Sequence, residues 1–178
     1  MFLDDAKIKN FTSCFKLPRF LTFFFKHLKL NDSQLAKEFP YVSHCGNERN
    51  YVRCDDLPFV ITGFNEPDSL MYMNQMRTDY WSIRFEPDSL YHDEKSGRLY
   101  YLFEGKQQQV ESGTRHVFDK LPVRVALVKS SISIKLMRTA TFNQSNELTF
   151  EYKSKVCTVK SDPNCKAALL VKKFSSYN

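Results

Sequence analysis

Residues 39–64, FPYVSHCGNERNYVRCDDLPFVITGF, contain the pattern around which the rest of the chain is organised. Apolar residues alternate with polar ones on both sides of Gly46-Asn47, a pair that is typical of a tight hairpin turn. A second turn at Leu57-Pro58 leads into the apolar run 59–62. The stretch therefore predicts a strand, a polar turn and two further strands.

The sequence before this stretch has a helical pattern, and the sequence after it is rich in alternating runs. A first helix is expected from the spacing of Ile8, Phe11 and Phe15, and Pro18 should begin a second helix with a wide apolar face. Further on, 121–127 predicts a short helix and 131–142 a long strand, followed by a hairpin loop at 143–146 and a return strand at 148–152.

The order strand, helix, strand, hairpin, strand occurs twice along the chain. We therefore expect an α+β fold of two small related lobes, each a short antiparallel sheet packed with helix. The expected division is an N-terminal α+β lobe at 1–75 and a C-terminal strand-rich basic lobe at 76–178.

The composition, with 42% hydrophobic and 26% charged residues among 178, is that of a soluble globular protein. Five cysteines are an odd number without a secretory signal, so reduced intracellular thiols are expected. The best apolar run, 20–25, is much shorter than the roughly 20 residues that a membrane-spanning helix needs. No membrane span is expected.

The hairpin supplies the leading candidate site. Because side chains alternate along a strand, Arg49, Tyr51 and Arg53 should share one face, where two guanidinium groups can bind a carboxylate or phosphate. We include Glu48 and Asn50 in this ligand site. In the alternative, purely structural interpretation, Glu48, Asp55 and Asp56 neutralise the two arginines.

A thiol or metal site is a further alternative at the same place. Cys45, Cys54 and His44 can act as ligands, but their spacing is not that of a zinc knuckle. A thiol enzyme centred on Cys45 would need a base and an orienting group that the sequence does not identify. With five glycines and no phosphate-binding glycine loop, we expect no cofactor and favour a non-catalytic protein.

The positive charge is concentrated in the second half of the chain. Residues 1–90 carry 11 basic and 12 acidic side chains, whereas residues 91–178 carry 15 and 8. This half interleaves basic and aromatic side chains, which suggests RNA binding as the runner-up function. The residues concerned are Lys129, Lys135, Arg138, Lys153, Lys155 and Lys160, with Phe142, Phe150 and Tyr152.

The chain resembles an uncharacterised eukaryotic protein family, UPF 0598. The resemblance rests on an N-terminal segment, on the C-G-x-E-R-N-x-x-R-C motif at 45–54 and on nearby positions: Leu3, Asp4, Asp5, Lys7, Lys9, Asn10, Phe11, Cys14, Phe15, Lys16, Phe39, Pro40, Asp56 and Pro58. It implies no activity, but animal members look mitochondrial, so it implies that location. From the residues alone, the acidic segment 1–5 is not a transit peptide and the cytoplasm is the default.

A more distant similarity connects the acidic-Pro-apolar step at 55–60 to a bacterial domain of unknown function, DUF 1285. That similarity implies repeated α+β motifs and a ligand-binding or signalling role. Together, these observations predict a ligand- or partner-binding protein that recognises an anionic group through Arg49, Arg53 and Tyr51. The partner is expected to be a small anionic ligand or another protein.

Overall fold

The computed structural model of the chain describes residues 1, 15–74, 76, 81–103 and 124–162. It confirms the predicted α+β class, because in these residues two antiparallel sheets and one largely antiparallel, mixed sheet combine with a few short helices. The chain forms two compact units, Met1–Arg53 (unit 1) and Cys54–Asn178 (unit 2). The boundary expected after residue 75 lies within unit 2, between the paired strands Leu70–Met73 and Ser82–Arg84.

In its described residues, unit 1 contains an α-helix, a short 3-10 helix and a three-stranded antiparallel sheet. In chain order its elements are α1 (Pro18–Lys26), β1 (Leu28–Leu30), a 3-10 helix (Gln34–Lys37), β2 (Tyr41–Cys45) and β3 (Glu48–Val52), with sheet order β1-β2-β3. Pro18 is at the first position of α1, as predicted, where its missing N–H breaks no helical hydrogen bond. The earlier helix predicted around Ile8 and Phe11 lies outside the described residues.

Helix α1 packs on the sheet through a small set of buried residues. Leu21 and Phe24 of the helix are buried, and so is Leu28 of β1. The Ser43 hydroxyl of β2 donates a hydrogen bond of 2.7 Å to the Phe24 carbonyl, and Ser43 is fully buried. One face of the sheet is therefore the core of unit 1.

In its described residues, unit 2 contains two sheets, one α-helix and short 3-10 helices, among them Pro87–Ser89 and Met137–Thr139. Its elements in chain order are β4 (Val60–Asn65), β5 (Leu70–Met73), β6 (Ser82–Arg84), β7 (Leu90–Asp93), β8 (Arg98–Leu102), β9 (Val125–Val128), α2 (Ser130–Leu136), β10 (Thr141–Phe142), β11 (Leu148–Tyr152), β12 (Lys155–Thr158) and β13 (Lys160–Asp162). The larger sheet has the order β13-β7-β8-β9-β4-β5-β6, and the smaller one β10-β11-β12. Two pairs of the larger sheet, β13-β7 and β4-β9, are parallel.

The core of unit 2 is rich in aromatic side chains. Phe59, Trp81 and Phe103 are fully buried, and the Phe59 ring lies 6.2 Å from the Trp81 ring and 6.4 Å from the Phe103 ring, measured between centroids. Offset and edge-to-face arrangements at these distances are favourable for aromatic rings.

Two of the predicted elements are wrong. The segment 131–142, predicted as a strand, forms α2, a 3-10 helix (Met137–Thr139) and the short β10. Ile132 and Leu136 fit either periodicity, because they are four residues apart on a helix and also alternate on a strand. The predicted helix over 121–127 contains, in its described part, most of β9, an apolar strand between β8 and β4. A short apolar run in a central strand lacks the alternation that would distinguish it from a helix.

Within the described residues, no helix combines the length and the apolar character that crossing a lipid bilayer requires.

Candidate functional site

The hairpin predicted at Gly46-Asn47 joins β2 to β3. Cys45 pairs with Glu48, so the loop has two residues. Gly46 occupies the first of them with φ +65°, the position at which a type II′ hairpin turn favours glycine. An added Cβ would meet no atom within 4 Å, so the backbone conformation rather than space requires this glycine.

The strand register places cationic side chains of three strands on one face of the sheet. His44 pairs with Arg49, Val42 pairs with Tyr51, and Lys29 of β1 pairs with Val42. Directly opposed residues share a face. Arg53 comes directly after β3, and its guanidinium lies over the Phe39 ring, which is next to the Tyr51 ring. We call Lys29, His44, Arg49, Tyr51 and Arg53 the cationic face. Its three Lys and Arg side chains are exposed, and Tyr51 is 38% exposed.

The other predicted ligand residues, Glu48 and Asn50, lie on the opposite face with Ser43 and Cys45. This is the face that packs on α1. Glu48 is exposed next to the turn, and Asn50 is half-buried. The hairpin thus separates the predicted ligand residues into two groups. Arg49, Tyr51 and Arg53 belong to the cationic face, whereas Glu48 and Asn50 lie on the opposite face.

Arg53 has partners at the end of the hairpin. Its Nη1 lies 3.8 Å from Glu38 Oε1, and its guanidinium lies 5.7 Å from the centroid of the Phe39 ring. The Phe39 ring is in turn 6.0 Å from the Tyr51 ring. Both members of the ion pair are more than half exposed, so it contributes less than about 1 kcal/mol and an external anion can compete with Glu38.

Arg49 has a different environment. Within the described part of the chain, its guanidinium makes no hydrogen bond or ion pair. It is exposed, lies directly opposite His44 and is two residues before Tyr51 on β3. In the structural interpretation, carboxylates neutralise both arginines. Among the described residues, no carboxylate does so for Arg49.

The residues of the thiol and metal alternative are placed as follows. Cys45 is half-buried, with its Sγ 3.5 Å from the Ser43 hydroxyl, and His44 is half-buried on the cationic face. Cys54, in unit 2, is exposed, and its Sγ lies 3.6 Å from the Asp56 carbonyl. In the described ranges, no three His, Cys, Asp or Glu side chains come together as a metal-binding group.

Asp56 has a role that sequence reasoning missed. Its carboxylate is only 5% exposed, and Oδ2 bonds to the Arg98 guanidinium and accepts a hydrogen bond of 2.9 Å from the Tyr100 hydroxyl. Burial, and then the hydrogen bond to Asp56, raise the pKa of Tyr100 to about 12. The same carboxylate raises the pKa of Arg98. No spacing in the sequence indicates this pairing, because Arg98 and Tyr100 are more than 40 residues from Asp56.

Several basic residues of the RNA-binding prediction already have partners inside unit 2. Lys135 forms an ion pair of 3.2 Å with Glu66, and Lys160 donates a hydrogen bond of 2.8 Å to the Asp88 carbonyl. Phe150 is buried, and the Tyr152 hydroxyl donates to Ser69 Oγ at 2.7 Å. Of the three aromatic residues in that prediction, only Phe142 is largely exposed, at 65%.

The comparison with known families gives one match, over residues 1–163. No solved structure matches the chain. The matched region includes the hairpin, the cationic face and both sheets of unit 2. The chain belongs to the family described as "Domain of unknown function (DUF4505)".

Proposed function

We propose that this protein is a non-catalytic binding protein that holds an anionic ligand or partner on the cationic face of unit 1. The single observation that supports the proposal most is the environment of Arg49. Its guanidinium is exposed, has no carboxylate partner among the described residues and shares a face with Lys29, Tyr51 and Arg53. A guanidinium group offers several donors in a fixed planar arrangement that fits carboxylate and phosphate oxygens.

The spacing of the cations favours an extended ligand with more than one negative group. At about 3.3 Å of rise per residue, the Cα atoms of Arg49 and Arg53 are about 13 Å apart, with Tyr51 between them. Two strand spacings of about 4.8 Å place the Cα of Lys29 about 10 Å from that of Tyr51. A chain of anionic groups at this spacing can contact the three cations in turn.

The experiment is a titration of isotope-labelled protein with sodium tripolyphosphate, followed by NMR of backbone amides and arginine side chains. We expect the largest shifts at the cationic face. The affinity of the double variant Arg49→Gln/Arg53→Gln should be lower by at least about tenfold, because two charge-assisted contacts are lost. Binding should also weaken with added salt, because exposed charges are screened.

The matched control removes the same charge elsewhere. Arg138→Gln/Lys155→Gln changes two exposed basic residues of unit 2, so it should bind tripolyphosphate like the original protein. Equal losses in the two double variants would mean that only net charge matters, and the proposal would then be wrong.

The same two double variants test the RNA-binding alternative. If a single-stranded uridine dodecamer is retained by the original protein and by Arg49→Gln/Arg53→Gln but not by Arg138→Gln/Lys155→Gln, the C-terminal half binds RNA. We do not expect this result, because Lys135 and Lys160 have partners within unit 2 and Phe150 is buried.

The location of the protein and the thiol alternative remain predictions. The resemblance to UPF 0598 supports a mitochondrial location, which microscopy of a C-terminally tagged protein would test. The alternative of a thiol- or metal-dependent enzyme centred on Cys45 would gain support if zinc or a thiol-reactive probe bound stoichiometrically at Cys45. Cys45→Ser is the variant that would abolish such binding.

A further inference from the structure

The outer edge of β3 carries backbone groups as well as the cationic side chains. The sheet order is β1-β2-β3, so among the described residues β3 pairs on one side only. Its five residues, Glu48–Val52, match the usual length of a strand. An edge strand of this kind is a template on which another extended segment can add.

The register shows which amides face outward. The His44 amide donates a hydrogen bond of 3.3 Å to the His27 carbonyl, so it points toward the β1 side of β2. His44 and Arg49 are directly opposed and are therefore a pair that exchanges no backbone hydrogen bonds. The N–H and C=O groups of Arg49 then point away from β2, and those of Tyr51, two residues further, do the same.

Outward peptide groups and cationic side chains thus belong to the same residues. Arg49 and Tyr51 present both a free-edge peptide unit and a side chain on the cationic face, and Arg53 follows directly after the strand. A strand added at this edge would place every second side chain opposite Arg49, Tyr51 and Arg53. Acidic residues are favoured opposite Arg49 and Arg53, because the charges are opposite. An apolar residue is favoured opposite the Tyr51 ring.

We propose that the β3 edge binds an extended acidic segment of a partner protein by antiparallel strand addition, with two of its carboxylates on Arg49 and Arg53 and an apolar side chain on Tyr51. This inference rests on the proposed function and names its ligand class. A second copy of the chain fits the edge poorly. Antiparallel pairing of β3 with itself around Tyr51 would oppose Arg49 of one copy to Arg53 of the other, and like charges in opposed positions are destabilising.

The test uses the acetylated and amidated peptide Thr-Glu-Thr-Val-Thr-Glu-Thr and two N-methylated isomers. Methylation of the valine nitrogen removes the N–H that faces Tyr51 of the protein. Methylation of the nitrogen of the preceding threonine removes an N–H that faces solvent in the proposed complex. Both isomers have the same composition and charge, so electrostatics alone cannot separate them. We expect the valine isomer to bind at least about tenfold more weakly than the threonine isomer, because it also places a methyl group in the ladder.

Hydrogen exchange of the free protein gives a second readout. The amides of Arg49 and Tyr51 should exchange fast, and those of Asn50 and Val52, which face β2, should be protected. On binding the unmethylated peptide, the Arg49 and Tyr51 amides should become protected as well. Slow exchange of these two amides before any peptide is added would show that the edge is already covered, and it would overturn the inference.

The outcomes separate this inference from the proposed function. Equal binding of both methylated isomers, lost in Arg49→Gln/Arg53→Gln, would leave anion binding in place and overturn strand addition. Binding of tripolyphosphate at the cationic face without binding of any peptide would also overturn strand addition and leave anion binding in place. Absence of both kinds of binding would contradict the proposed function itself. A concentration-dependent dimer that buries the Arg49 and Tyr51 amides would make a second copy the occupant and overturn the acidic partner.

Discussion

Arginine and tyrosine occur two residues apart on a strand in both units, and the outcome differs. In unit 2, Arg98 and Tyr100 of β8 both bond to the Asp56 carboxylate, which is only 5% exposed. In unit 1, Tyr51 of β3 is 38% exposed and Arg49 has no carboxylate partner among the described residues. The same residue types thus stabilise the fold in one place and are available to a ligand in the other.

The difference lies in the carboxylate rather than in the arginine. A carboxylate that is removed from water loses its hydration, and hydrogen bonds or an opposite charge must offset that cost. Arg98 and Tyr100 do so for Asp56. Glu38 is exposed, and its contact with Arg53 at 3.8 Å holds that arginine only weakly. Burial of the acid therefore determines whether an arginine-tyrosine pair is structural.

Among the variants that test this comparison, Asp56→Ala is expected to change stability most. It removes the buried acceptor of the Tyr100 hydroxyl and should lower the free energy of unfolding by about 1–3 kcal/mol. Urea denaturation measures this change. Asp55→Ala, an exposed neighbour, should change stability by no more than about 0.5 kcal/mol. Equal losses of stability in the two variants would contradict the conclusion that burial of the carboxylate makes its contacts structural.

Tyr100→Phe is expected to have a smaller effect, with a characteristic pH dependence. Losing one hydrogen bond should cost about 0.5–1.5 kcal/mol near neutral pH. Because the pKa of Tyr100 is raised from 10.0 to about 12 in the folded state, the fold favours the neutral hydroxyl. This contribution is complete below pH 10 and is lost as the pH rises toward 12.

The measurement compares the original protein and Tyr100→Phe by urea denaturation at several pH values up to the alkaline limit of folding. The original protein should lose stability more steeply above pH 10, so the difference between the two proteins should shrink. A difference that stays constant across this range would contradict the shifted pKa. Tyr101 is present in both proteins, so its own titration cancels in the comparison.

The smallest effects on stability are expected on the cationic face. Arg53→Gln loses an exposed ion pair and the contact with Phe39, so it should cost less than about 1 kcal/mol, and Arg49→Gln should cost about 0.5 kcal/mol or less. Both should still weaken anion binding. A loss of more than about 2 kcal/mol for Arg49→Gln in urea denaturation would show that Arg49 is structural, like Arg98.

Local chemistry made part of this structure predictable. Within a helix, Pro18 fits only the first turn, and Gly46-Asn47 between alternating runs is typical of a two-residue hairpin, so both positions could be predicted. Hairpin register follows from loop length, which is why the shared face of Arg49 and Tyr51 could be predicted. The segment 131–142 could not, because the spacing of two between Ile132, Ile134 and Leu136 is that of a strand, whereas in α2 Leu136 is buried and Ile134 is 73% exposed.

The sequence by itself determined the α+β class, the hairpin and the alternation of its side chains, because these depend on residues close together in the chain. Only the tertiary structure decided that Lys29 joins the cationic face, that Asp56 pairs with Arg98 and Tyr100, and that β3 is an edge strand among the described residues. Each of these depends on which distant segments pack together. Packing in turn follows from the burial of apolar surface over the whole chain, which no short pattern encodes.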